Sequence, residues 1–294
     1  MGRSGNHRHP CRVDRIREQR MIIVGERINS TRKSIAAALE ARAAEQILNQ
    51  ARRQWDAGAS YLDVNTAMMR AQEPEVMAWV IELIQGELPD ALIAIDSANP
   101  AAVEAGFRAH KGRPLLNSIN GEKQRVDALI PLIREHGPRV IGLTINDDGI
   151  SQDADLRYRI GAELIELLSK NEIGLDDIFI DPLIFPVSAE YQAGSTSLSI
   201  IGRIRENYPG VHTVCGLSNI SFGLPERRLI NQVYMMLAMG CGLDAAIIDP
   251  LDRRMMAGII TATTLLGRDK ACKRYLKAYR GGDLNVDPAT TAAG

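Results

Sequence analysis

The stretch "LIAIDSANPAAVEAGFRAH", residues 92–110, contains one full repeat of the plan that organises this chain. An Ile- and Leu-rich run from Leu92 stops on Asp96 and Ser97. Asn99 then stands directly before Pro100, a capping residue ahead of a proline at the first helical position, and apolar residues return at helical spacing. A short buried strand that hands over at once to a helix is half of a βαβ unit.

The same alternation continues in both directions from this unit. Strands are predicted at 21–26, 60–65, 92–97, 114–119, 140–145, 177–182, 212–217 and 244–249, and helices at roughly 34–57, 74–87, 99–110, 122–136, 153–170, 195–207, 226–240 and 252–266. Eight strands, each followed by a helix, is the count of a closed (β/α)8 TIM barrel. Gly58, Gly106, Gly137, Gly174 and Gly242 fall near the ends of helical segments, where a terminating glycine is expected. The alternative is an open doubly wound sheet, but no GxGxxG follows any strand. One barrel over residues 21–281 is expected, with flexible extensions at 1–20 and 282–294.

Composition fits one large aliphatic domain: 294 residues, 45% hydrophobic and only 4% aromatic. A net charge of −1 with scattered Lys and Arg leaves no footprint for nucleic acid or a membrane surface. No run is long and apolar enough to span a bilayer, and the basic N-terminus lacks the apolar core of a secretory signal, so a cytoplasmic location is the default. The four cysteines at 11, 215, 241 and 272 show neither CxxC spacing nor a nearby His pairing at metal-ligand spacing. They are expected to be reduced thiols, with Cys215 and Cys241 in the core, and no metal site is expected.

Ligand sites of such barrels lie at the carboxyl ends of the strands. Here those ends are polar with unusual regularity: Glu26, Asp63 and Asn65, Asp96, Asn117, Asn146, Asp181, Asn219 with Ser221, and Asp249. Each could be a turn or cap residue. However, Asp96, Asn117, Asp181 and Asn219 directly follow apolar residues, so they are expected to be partly buried, where an unpaired polar group is costly. Carboxylates and amides without a matching cation suit a ligand rich in N–H donors that also carries acceptors, such as an aminopyrimidine or a pterin. No P-loop or glycine-rich phosphate turn is present, which disfavours a sugar phosphate.

The segments "MIIVGERINSTRKSI", "DAGASYLDVNTA", "IAIDSANPAAVEAG", "PLLNSINGEK", "IGLTINDDGI", "IFIDPLIFPVS", "GLSNISFGLPERRLIN" and "AMGCGLDAAIIDP", taken together, resemble the methyltetrahydrofolate:corrinoid protein methyltransferases. These are pterin-binding barrels related to dihydropteroate synthase and to the folate module of cobalamin-dependent methionine synthase. The resemblance covers roughly residues 21–270. It implies that Asp96, Asn117 and Asp181 hold the pterin and that Asn219 lies beside N5 of the folate as the catalytic residue. Asp63, Ser221 and Arg227 complete the expected binding set. Arg227 or Arg228 could meet the carboxylate tail, or could simply begin a solvated helix.

The implied reaction moves a methyl group between N5 of tetrahydrofolate and the cobalt of a corrinoid (cobalamin) carried by a separate protein, since no DxHxxG-like corrinoid signature appears. It needs no protein nucleophile, which agrees with the lack of a Ser/His/Asp or Cys/His pattern. Phe222 stands where acetogenic members tend to be polar. Methionine synthase-like and demethylase-associated members more often carry an aromatic there, which points to methyl flow towards tetrahydrofolate. The resemblance further implies a homodimer. The alternatives are a dihydropteroate synthase-like enzyme, disfavoured because "GLSNIS" stands where a Lys-rich anion loop belongs, and a non-catalytic folate-binding protein.

Overall fold

The computed structural model describes residues 20–286. Eight parallel strands, β1 (Ile22–Asn29), β2 (Tyr61–Asn65), β3 (Leu92–Asp96), β4 (Leu115–Asn120), β5 (Arg139–Leu143), β6 (Ile178–Asp181), β7 (His212–Thr213) and β8 (Ala245–Ile248), pair in chain order, and β1 also pairs with β8. Between β7 and β8 the ring closes through a single parallel bridge, Gly216 to Ile247, where the Ile247 N–H donates to the Cys215 carbonyl at 2.9 Å. The fold is the expected (β/α)8 barrel. Parallel neighbours require long crossovers. These are supplied by α1 (Lys33–Glu40), α2 (Ala44–Asp56), α3 (Glu73–Glu87), α4 (Pro100–Ala109), α5 (Lys123–His136), α6 (Ala154–Lys170), α7 (Ala193–Asn207) and α8 (Arg227–Cys241), while α9 (Arg253–Leu265) and α10 (Lys273–Gly281) follow β8.

The 92–110 unit folds as its residues dictate: the Asn99 side chain accepts from the Ala101 N–H at 3.0 Å, and Pro100 opens α4. Elsewhere the structure departs from the sequence reading. The single helix expected over 34–57 is two, α1 and α2, separated by a turn with Arg42 at φ 50. Its alanine-rich sequence hides the break, because alanine favours helix on both sides of it. The strand expected at 212–217 is only two residues long, because β6 offers pairing partners only up to Ile180 for it. Leu217–Ser221 then coils into a 3₁₀ turn.

Gly137 and Gly242 do end helices in the left-handed region, whereas Gly106 lies inside α4. A Cβ there would come within 2.9 Å of Ile95 Cδ1 and 3.2 Å of Met77 Cγ, so this glycine lets α4 sit close on β3 and α3. Cys215 is buried, but Cys241 is exposed at the end of α8 rather than in the core. Of the extension expected at 282–294, residues 282–286 are tied down. Arg253 donates to the carbonyls of Gly282 and Asn285, and Arg254 to that of Val286. Residues 1–19 and 287–294, where the rest of the expected extensions fall, lie outside the described residues.

Inside the barrel Val24, Tyr61, Ala94, Leu115, Ile141, Phe179, Val214 and Ala245 form one packed layer, one residue from each strand or its continuation. Ile- and Leu-rich residues on the opposite strand faces pack under the helices. Gly106→Val is expected to lower stability by about 1–3 kcal/mol through overpacking against Ile95 and Met77, measured as a lower denaturant midpoint with an unchanged slope.

Candidate active site at the barrel mouth

Side chains alternate along a strand, so the residue two positions beyond each member of the packed inner layer faces the mouth. Counting up from Tyr61, Ala94, Leu115 and Phe179 gives Asp63, Asp96, Asn117 and Asp181, and counting up from Val24 gives Glu26. The register brings them together: Asn65 pairs with Asp96 across β2 and β3, and Asp96 with Asn117 across β3 and β4. Four of the residues expected from sequence therefore share one layer.

The polar groups of this layer are bonded mainly to one another and to backbone. Asn117 Nδ2 donates to Asp63 Oδ1 at 3.0 Å, and Asn65 Nδ2 to Asp96 Oδ2 at 2.9 Å. Asn65 is itself oriented by the Ser30 hydroxyl and the Ala67 N–H, which both donate to its Oδ1. Asp181, 6% exposed, accepts from the Leu183 N–H at 2.8 Å. With its amide nitrogen engaged by Asp63, Asn117 keeps its oxygen for a donor from outside.

Among the described residues no Lys, Arg or His lies within 4.0 Å of Asp63, Asp96 or Asp181 as an ion pair. Burial therefore acts on these carboxyls against hydrogen bonds and more distant arginines rather than against an ion pair. Asp96 and Asp181 are each pushed up to about 6 by desolvation. Asp63 is raised well above its ordinary range by burial and by the Asp96 charge beside it. At the edge of the layer burial also raises Glu26, although Arg32 lies 3.6 Å away.

The turn after β7 departs from expectation. Asn219 is exposed at the rim, not partly buried, because the chain leaves the barrel wall at Gly216 and coils over it. Among the described residues its side-chain amide makes no hydrogen bond. Ser221 is buried and accepts from Arg227 Nε at 3.1 Å, while Arg227 Nη2 donates to the Ser218 carbonyl at 2.8 Å. Ser221 and Arg227 thus brace the turn that carries Asn219. Beside it a cavity of about 810 Å³ is lined by Glu26, Arg53, Ser218, Arg228 and Asp249 among others, and it includes neither Arg227 nor the four deep residues.

Sequence reasoning did not assign roles to Asn65, Arg125 and Arg157. Asn65 follows from the period-two alternation of β2. The two arginines carry no such signal, because each looks like an ordinary helical residue until the tertiary structure turns it inward. Arg125 donates to the carbonyls of Ser97, Ala98 and Ser118, and Arg157 to those of Pro182 and Leu183.

A barrel whose mouth carries desolvated acceptors, without ion-paired cations among the described residues, suits a ligand rich in N–H groups. A family model described as pterin binding enzyme matches residues 25–249. The chain is 35% identical over 266 residues to the methylcorrinoid:tetrahydrofolate methyltransferase of Eubacterium limosum, covering 90% of this chain and 98% of that one. It is 31% identical to the methionine synthase of Mycobacterium tuberculosis over 78% of this chain but only 20% of that protein. Dihydropteroate synthase from Xanthomonas albilineans, solved with 7,8-dihydropteroate, superposes with a TM-score of 0.64 over 87% of this chain and 96% of that one, at 19% identity. The chain belongs to the pterin binding enzymes and, among them, to the family of the methylcorrinoid:tetrahydrofolate methyltransferase.

Because burial raises Asp96, its ionised form costs stability above about pH 6 when no ligand is bound. Asp96→Asn is therefore expected to raise the Tm of the ligand-free protein at about pH 7.5. The gain should shrink as pH falls through about 6 towards the ordinary 3.8, where the wild-type carboxyl takes up its proton. A Tm difference that does not vary with pH would contradict this.

Proposed function

We propose that the protein transfers a methyl group from the cobalt of a methylcorrinoid protein to N5 of tetrahydrofolate. The observation that carries the reading is the set of carboxylates at the mouth, Asp63 and Asp181 buried and Asp96 half-buried, none of which has a cation within 4.0 Å among the described residues. Such groups need N–H donors from a ligand, and the 2-amino and ring N–H groups of a pterin supply them in a bidentate arrangement. The 35% identity to the Eubacterium limosum enzyme over nearly its whole length supports the same activity. The dihydropteroate synthase alternative rests on likeness of fold alone.

In this reading Asp96, Asn117 and Asp181 hold the pterin, with Asp63 fixing Asn117. Asn219 stands at N5. As the methyl moves, the Co–C pair stays with cobalt, leaving Co(I); N5 gains the methyl and loses its proton. In the reverse direction N5 is a poor leaving group unless its lone pair is held, and an amide can turn to donate to it or accept from it. That the Asn219 amide has no protein partner among the described residues leaves it free to follow N5 through the reaction. Arg228 and Arg53 line the cavity on this side and suit the folate's carboxylate tail better than Arg227, which is occupied by Ser218 and Ser221.

Exposed apolar side chains stand on the loops after four strands: Met68 after β2, Ile150 after β5, Tyr191 after β6 and Phe222 after β7. They suit a protein that docks over the mouth and delivers its corrinoid from above. No helix among the described residues is long and apolar enough to cross a membrane. A homodimer completes the reading on the family resemblance, with a cytoplasmic location as the default from the sequence.

With methylcob(III)alamin or a methylated corrinoid protein as donor, methyltetrahydrofolate should form above background; folate binding without product would identify a binding protein instead. Asn219→Ala is expected to reduce turnover at least tenfold while changing tetrahydrofolate affinity less than about threefold. Asp181→Ala should weaken folate binding by on the order of 2–5 kcal/mol, measured by calorimetry. Protonated carboxyls cannot accept two N–H bonds, so affinity should be constant at higher pH and decline as pH falls through about 6, the value of Asp96 and Asp181.

A further inference from the structure

We propose that Arg157 is a positioning residue for Asp181: it fixes the strand-end turn that orients the carboxylate and places a buried positive charge behind it without pairing with it. The inference rests on the reading of Asp181 as a pterin ligand. Arg157 lies on the first turn of α6 and is only 1% exposed, the largest of the fully buried side chains. Its Nη1 donates to the carbonyls of Pro182 at 2.8 Å and Leu183 at 2.6 Å. Leu183, held in the left-handed region at φ 58, returns its own N–H to Asp181 Oδ1 at 2.8 Å. Guanidinium, carbonyl, amide and carboxylate thus form one connected chain.

Burying a guanidinium is costly, and packing alone would be met by leucine or methionine. Among the described residues no carboxylate lies within 4.0 Å of Arg157, and its Nε has no partner. What it provides is therefore the pair of bonds to the turn and the charge. A direct ion pair would occupy the carboxylate oxygens that a pterin needs. An arginine bound to the carbonyls behind them leaves those oxygens free while still favouring their ionised state. The other groups that face this pair are Asp153 at the start of α6, Tyr234 of α8, whose hydroxyl is bonded to Ser197, and the Cys215 thiol beside Asp181. Phe185 covers the guanidinium face at 5.2 Å.

The arrangement recurs at Asp96. Arg125 of α5 donates to the carbonyls of Ser97, Ala98 and Ser118, the residues flanking Asp96 and Asn117, and its charge opposes the rise of Asp96. Two binding carboxylates thus each have an arginine fixed to the adjoining backbone.

The test follows the Asp181 carboxyl by carbon NMR across pH in ligand-free, full-length protein, with Asp181→Asn providing the assignment. Arg157→Gln keeps donors for the carbonyls and removes the charge; Arg157→Lys keeps the charge. The Gln variant is expected to raise the Asp181 midpoint by about half a unit or more, and the Lys variant to leave it within about 0.2 unit of wild type. Tetrahydrofolate affinity of the Gln variant should fall about two- to threefold below wild type at about pH 5.5 and match it at about pH 8. An unmoved midpoint in folded Arg157→Gln overturns the proposal, as does a raised midpoint in Arg157→Lys, which decides alone if the Gln variant does not fold. Because the titration needs no folate, a wild type that fails to bind tetrahydrofolate refutes the functional reading without obscuring the Arg157–Asp181 coupling.

Discussion

Burial of Asp63 and Asp181 and half-burial of Asp96 at the mouth of the barrel, with no cation within 4.0 Å of any of them among the described residues, is the constraint on which the site depends. Desolvation disfavours a charge in such a place, and ordinary proteins relieve it with an ion pair or leave the group in water. Here relief comes from weaker sources: amide nitrogens of Asn65 and Asn117, backbone N–H groups, and arginines held one bond away on carbonyls. The site therefore favours N–H donors, which a pterin would supply in the proposed reading.

This constraint accounts for the division of labour around the rim. The deep layer of Asp63, Asp96, Asn117 and Asp181 sits on strands with paired register, where positions are fixed by the sheet. Asn219 sits on a turn outside the ladder, braced by Arg227 but with its own amide unengaged among the described residues. In the proposed reading this division is useful: recognition of a rigid ring system benefits from a rigid frame, whereas a group beside a reacting nitrogen must exchange donor and acceptor roles. The short β7 and the single bridge to β8 are what make that turn possible: a longer strand would have carried Asn219 up the wall rather than over the mouth.

Much of this was legible in the chain itself. The strand of Leu92 to Asp96, the Asn99-Pro100 cap and their repetition identify the barrel, because period-two and period-3.6 patterns are local properties. Asp96, Asn117 and Asp181 were legible as strand-end residues for the same reason. Gly106 was misread as a helix end because a glycine needed for close packing on Ile95 and a glycine that ends a helix look alike in sequence. The break between α1 and α2 was hidden by alanines that suit either side of it.

By itself the sequence determined the order of strands and helices, the residues at the strand ends and the lack of a nucleophile pattern. Each of these follows from local spacing and residue chemistry. Only the tertiary structure decided which polar ends share the inner layer, that Asn219 stands exposed on a turn, that Cys241 faces outward, and that Arg125 and Arg157 turn inward to hold the rim. Those facts depend on which strands are adjacent and where a ladder runs out of partners, and on how close each helix lies to the sheet. All are set by contacts between segments far apart in the chain, which local sequence does not record.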